Sequence, residues 1–225
     1  EDGLTVPDEY NFLDANGNST VSFSGQEQRL DMLSEMVVYI KTANTQGVTI
    51  SAAQLKNMYA NTGFTWTDAN SLGMTGSTKQ LKNKTAYATA DGSPDAGIQL
   101  IFENYMDSME VISTANMLGS PGVDGVWPND GTSGPYLMNG EGFEYGQVIE
   151  KGLMSAVFAS QITINYLGTL NDDENTTLVS GENYTDMQHH WDEAYGYFTS
   201  SINFPTSGTD RFWGKYADGR EAIIQ

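Results

Sequence analysis

The sequence predicts an all-α fold, a helical bundle that carries a short N-terminal β-hairpin and a long Gly-rich loop. Three observations predict it. Apolar residues recur three and four positions apart along most of the chain, the spacing of one helix face. Capping signals, a Ser or Thr with Glu or Gln three residues on, stand just ahead of several of those runs. Residues 119–146 are instead dense in Gly and Pro and show no period.

The elements follow in order. Tyr10 and Phe12, then Val21 and Phe23, alternate with polar residues on either side of Asn16-Gly17, which signals a hairpin with a type I′ turn. Asp14-x-Asn16-x-Asn18 imitates the start of a calcium loop, but Ser19 stands where that loop needs Gly and Gly25 where it needs Glu. Ser24 and Glu27 read as a capping box opening a helix to about residue 43, with Leu30, Leu33, Val37 and Ile40 inward. Ser51 and Gln54 repeat the pattern for a shorter helix. Residues 62–92 read mostly as loop. Ser93-Pro94-Asp95 starts a helix to about residue 117, with Ile98, Ile101, Phe102, Tyr105, Met109 and Ile112 inward. Residues 147–167 are apolar almost all round, as in a helix at the centre of a bundle, and Gly152 would let a neighbour approach closely.

The stretch 119–146 is long for a structureless connection, which points to a functional cover. Its aromatics Trp127, Tyr136 and Phe143 are expected to pack over something. The acids Asp172, Asp173 and Glu174 could wrap a calcium ion, although such runs are also ordinary solvated loops.

Composition sets the outer bounds. With 225 residues and 39% hydrophobic residues, the chain reads as a single helical domain over 1–225, with an extension and hairpin at 1–23. No apolar run reaches 18 residues, so no transmembrane helix is expected. Cysteine is absent, which removes disulfides and thiolate chemistry. A formal net charge of −19 repels nucleic acid. The start EDGLTVPDEY lacks Met and resembles what remains after a signal or lipoprotein anchor is removed. The end GREAIIQ has no helix stop signal. These features lead us to expect an exported protein. They also lead us to expect the N-terminal part of a longer chain. They leave its oligomeric state open.

The chemistry concentrates in NYTDMQHHWDEAYGYF, residues 183–198, which holds both histidines. Thr185 and Gln188 form a capping box there. At about 100° per residue, Met187, Trp191, Ala194, Tyr195 and Phe198 share an apolar face that should enter the core. Asp192 and His189 then point the other way, with His190 at the boundary. His190 and Glu193 are three apart and His189 and Glu193 four apart, so either pair could supply two ligands to a divalent metal, iron or zinc. Asp186 and Asp192 are the nearest further carboxylates. The plainer alternative is a boundary His190 bonded to Glu193 or Asp186, with His189 in solvent.

Three segments together, STVSFSGQEQRLDML (19–33), MQHHWDEAYGYF (187–198) and RFWGKYADGREAI (211–223), resemble a family of exported Bacteroidota lipoproteins related to imelysin-like proteins. The resemblance implies a helical bundle, a lipid-anchored protein of the periplasm or outer-membrane surface with uptake or surface partners, and a role in iron or haem acquisition. It aligns the imelysin signature Gly-x-His-x-x-Glu with Gln188 to Glu193, placing His190 and Glu193 on the motif's histidine and glutamate, with Gln188 in place of the glycine. The expected function is a non-catalytic ligand- or metal-binding protein. An imelysin-type metallopeptidase and a structural surface or filament subunit are the alternatives.

Overall fold

The computed structural model describes residues 9–86, 93–115, 117–131, 133–205 and 210–224. Six α-helices lie among them: α1 Ser24–Thr42, α2 Ala52–Ala60, α3 Ala96–Thr114, α4 Tyr145–Leu153, α5 Asp186–Phe198 and α6 Phe212–Ile224. One two-stranded antiparallel sheet pairs β1, Gly125–Trp127, with β2, Tyr136–Met138. The fold is therefore mainly α. No helix is long and apolar enough to cross a membrane among the described residues.

The chain divides into two compact units, residues 31–157 and residues 1–30 with 158–225. In the 31–157 unit, Met32, Leu33, Met36, Leu55, Met58 and Tyr59 are buried, and α3 contributes Phe102, Met106, Met109 and Ile112. Phe102 lies against Gly152, where an added Cβ would stand 2.6 Å from its ring. That glycine works as the sequence leads one to expect. Ile101 does not: it is 42% exposed, because the buried stripe runs 102–106–109 and leaves 101 a quarter turn away.

The helix starts follow the local chemistry with small shifts. Ser51 caps α2 by accepting from the Gln54 N–H. Asp95, two residues after the expected Ser93, caps α3, its carboxylate accepting from the Gly97 and Ile98 N–H groups. A carboxylate at the helix start is favoured by both hydrogen bonding and the helix dipole. Helix α1 begins at Ser24 itself, and the Glu27 N–H bonds to the Phe23 carbonyl, so Ser24 lies inside the first turn.

The described residues of the Gly-rich stretch hold regular structure. They form the β1–β2 hairpin, bury Val126 and Leu137, and are tied down by the Leu137 N–H, which donates to Asn44 Oδ1 at 3.0 Å. Phe143 packs on Tyr105 and Tyr145 within the same unit.

In the 1–30 and 158–225 unit the expected N-terminal hairpin shrinks to one bridge, Leu13 to Ser19. Its turn is type I with a left-handed Gly17, not type I′. Gly17 N–H bonds to Asp14 O, and Gly17 alone of the loop has positive φ, +82°. Asp14 decides this by accepting from the Asn16 and Asn18 N–H groups at 2.8 and 2.9 Å. These bonds, with Asn18 and Asn183 side chains, pull its carboxyl down to about 2. All these donors are the protein's own.

The long apolar helix begins as α4 and continues in π-helical turns over Met154–Ala159 and Gln161–Tyr166. A wider turn is uncommon and often accompanies a functional site. Here it buries Gln161 completely, with Asn165 Nδ2 donating to its Oε1 at 3.1 Å.

Candidate binding cleft

Helix α5 opens with the expected capping box: the Gln188 N–H donates to Thr185 Oγ1, and the Thr185 N–H donates to Gln188 Oε1 at 2.9 Å. Its rotational setting is the reverse of the expected one. Asp192 is 3% exposed and Trp191 is 48% exposed. His189, Asp192, Glu193, Gly196 and Tyr197, a stripe at helical spacing, face inward. Of the five residues expected in the core, Ala194 is buried, whereas Met187, Trp191, Tyr195 and Phe198 are half-buried or exposed.

Two things permit this inversion. Gly196 has no side chain where Phe23 and Gln26 approach. And the two inward carboxylates find partners, while His189 Nδ1 and the Tyr197 hydroxyl are buried without a hydrogen bond among the described residues. Asp192 accepts from the Tyr10 hydroxyl at 2.7 Å and the Ser22 N–H at 3.0 Å. Burial raises its carboxyl above the ordinary range, opposed by those two bonds. Glu193 accepts from Gln26 Nε2 at 2.7 Å. Arg29, 5% exposed, lies near enough to Glu193, Tyr166 and Tyr197 to share their field, and burial raises both phenols. Tyr10 stacks on Tyr195 with ring centroids 3.6 Å apart. A buried polar group is tolerated when bonded, so a polar face can form the inner face.

The histidines separate. His190 Nδ1 lies 2.7 Å from Asp173 Oδ2, and its ring sits 5.6 Å from that of Tyr166. In the neutral imidazole an ionised Asp173 makes Nδ1 the donor and leaves Nε2 as the bare nitrogen. His189 stacks on Tyr184 at 4.7 Å with its Nε2 3.9 Å from Glu193 Oε2. The expected His190–Glu193 pair is thus not formed, because Gln26 holds Glu193 and the acidic loop delivers Asp173 to His190. Neither does His190 bond Asp186, which is exposed in the first turn of α5. No group of three or more His, Asp or Glu side chains placed to hold a metal exists among the described residues.

The acidic run disperses likewise. Glu174 accepts from the Thr176 N–H at 2.7 Å and the Thr177 N–H at 2.5 Å, closing its own turn. Asp172 is exposed, and Asp173 serves His190. The three carboxylates do not converge on a calcium position. Trp127, Tyr136 and Phe143 pack in the other unit, and that packing gives no support to a cover over α5.

The inversion puts Trp191 between two clefts. One, about 280 Å³, has an apolar side of Phe12, Leu170, Met187 and Trp191 and a polar side of Asn175, Gln188 and Asp192. The other, about 240 Å³, is apolar, with Ile162, Leu167 and Ala194 facing Trp191. Sequence reasoning missed Asn175, Tyr10 and Gln26 and misplaced Trp191. The one available signal was Gly196, a helix-interior glycine that marks a close approach.

A model of the DUF4856 family, described as a domain of unknown function, matches residues 7–222. The chain belongs to the DUF4856 family. No curated protein and no solved structure matches it. The DUF4856 match covers both units and all of α5.

Proposed function

We propose that this DUF4856 chain is a non-catalytic binding protein, exported or held at the cell surface, that takes a small ligand in the cleft beside Trp191. The observation that carries the reading is the inverted setting of α5. A tryptophan kept 48% exposed at the edge of an aromatic cleft, above a buried carboxylate with fixed donors, has the make-up of a ligand site: apolar walls and a few placed polar groups. A small-molecule library screened by thermal shift tests it. Ligands that raise the wild-type melting temperature should lose their effect in Trp191→Ala. A library whose hits all persist in that variant would sink the reading.

Iron or haem acquisition fits through one atom, His190 Nε2, which Asp173 leaves bare to meet a metal from solvent or an iron porphyrin. Titration with hemin checks this part: His190→Ala should remove the spectral change of an imidazole-ligated iron, and an unchanged spectrum rejects it.

A further inference from the structure

The polar side of the Trp191 cleft carries more information than its walls. Asn175 Oδ1 is occupied by the Thr185 hydroxyl at 2.7 Å, and Gln188 Oε1 by the Thr185 N–H at 2.9 Å. One residue, Thr185, therefore fixes the orientation of both amides. Both NH₂ ends are thereby turned to donate, and each carbonyl oxygen, like the Thr20 hydroxyl that also lines the cleft, keeps a lone pair. Asp192, on the same side, only accepts while ionised, and each of its oxygens retains acceptor capacity beyond Tyr10 and Ser22.

A ligand that engages both NH₂ ends and the carboxylate must accept from two amides and donate to Asp192. A protonated amine cannot accept, and a ketone or ester cannot donate. A carboxylate or phosphate ligand would face Asp192 and a chain of net charge −19. Neutral hydroxyl groups do both tasks. Trp191 and Phe12, both 48% exposed, offer flat apolar faces beside them, suited to a ring with one face of C–H bonds. We infer that the cleft binds a neutral polyhydroxylated ring, a saccharide, with Asn175 and Gln188 donating to its oxygens and Asp192 receiving a hydroxyl. This rests on the binding reading above and names the ligand class for the same cleft.

The test uses the full chain with methyl glycosides of glucose, galactose and mannose, N-acetylglucosamine, and their disaccharides, followed by saturation-transfer NMR and calorimetry. Choline and glucuronate serve as cationic and anionic comparisons. At least one neutral glycoside should bind, and Trp191→Ala should abolish it. Asn175→Asp and Gln188→Glu keep the oxygen that Thr185 needs and replace only the donor. Each should weaken binding roughly tenfold or more with the melting temperature held. Glycoside binding indifferent to both changes overturns the assignment. So does a choline or glucuronate complex with no glycoside complex, although that result leaves the cleft as a binding site. The absence of any Trp191-dependent ligand overturns both.

Discussion

Gly196→Ala distinguishes the two settings of α5 by the sign of its effect. In the observed setting Gly196 is buried, and an added Cβ would stand 2.5 Å from Phe23 Cβ and 3.0 Å from Gln26 Cβ. Neither neighbour can yield freely. Phe23 packs on Tyr10 and Tyr195, and Gln26 holds Glu193. Alanine gains about 1 kcal/mol over glycine in a helix interior, whereas overpacking a filled interior costs about 1–3 kcal/mol. The obstructing atoms are Cβ atoms, close to rigid backbone, so the cost falls in the upper part of that range. The net expectation is a loss of about 1–2 kcal/mol. For a chain of this size that lowers the melting temperature by about 2–8 °C. Far-UV circular dichroism during thermal and urea unfolding measures it. With the apolar face of α5 inward instead, Gly196 would face solvent and alanine would stabilise by about 1 kcal/mol. A rise in melting temperature would therefore refute the inverted setting.

Trp191→Ala should cost about 1 kcal/mol in urea unfolding, since the side chain is half exposed, against about 3–5 kcal/mol for a core tryptophan; the larger loss would count against the cleft. In nitrogen-15 NMR, neutral His190 should show Nδ1 protonated and Nε2 bare, and Asp173→Asn should shift it toward the reverse tautomer; unchanged shifts would reject the bond to Asp173. The Asp14 carboxyl should titrate near 2 by carbon-13 NMR, below its ordinary 3.8. Because its folded pKa is lowered, its contribution to stability is present above that ordinary value and is lost as pH falls toward 2. Asn18→Ala and Asn183→Ala should each move the midpoint upward, and a midpoint already at the ordinary value would remove the turn network.

The helices were legible because their signals are local. Thr185 with Gln188 and Ser51 with Gln54 form their start contacts within three residues, so sequence spacing suffices. Asp95 replaced Ser93 as a cap because either can accept the same orphan N–H groups, and only the backbone path selects one. The Gly-rich stretch hid its hairpin because β1 and β2 are three residues each, too short to establish a period of two. The acidic run 172–174 was legible as a cluster but not as a turn, since Glu174 spends its oxygens on its own backbone.

The candidate site shows the division most clearly. By itself the sequence determined that residues 186–198 form a helix with one apolar and one polar stripe, and that Thr185 caps it. It could not determine which stripe faces inward, because burial of a polar stripe is decided by partners far away in the chain. Tyr10 and Ser22 for Asp192, Gln26 for Glu193, and Asp173 for His190 are those partners. Only the tertiary structure brings them to α5. With Asp192 and Glu193 bonded, the usual penalty for burying those carboxylates is offset, and Trp191 is left at the surface to form the wall of a cleft.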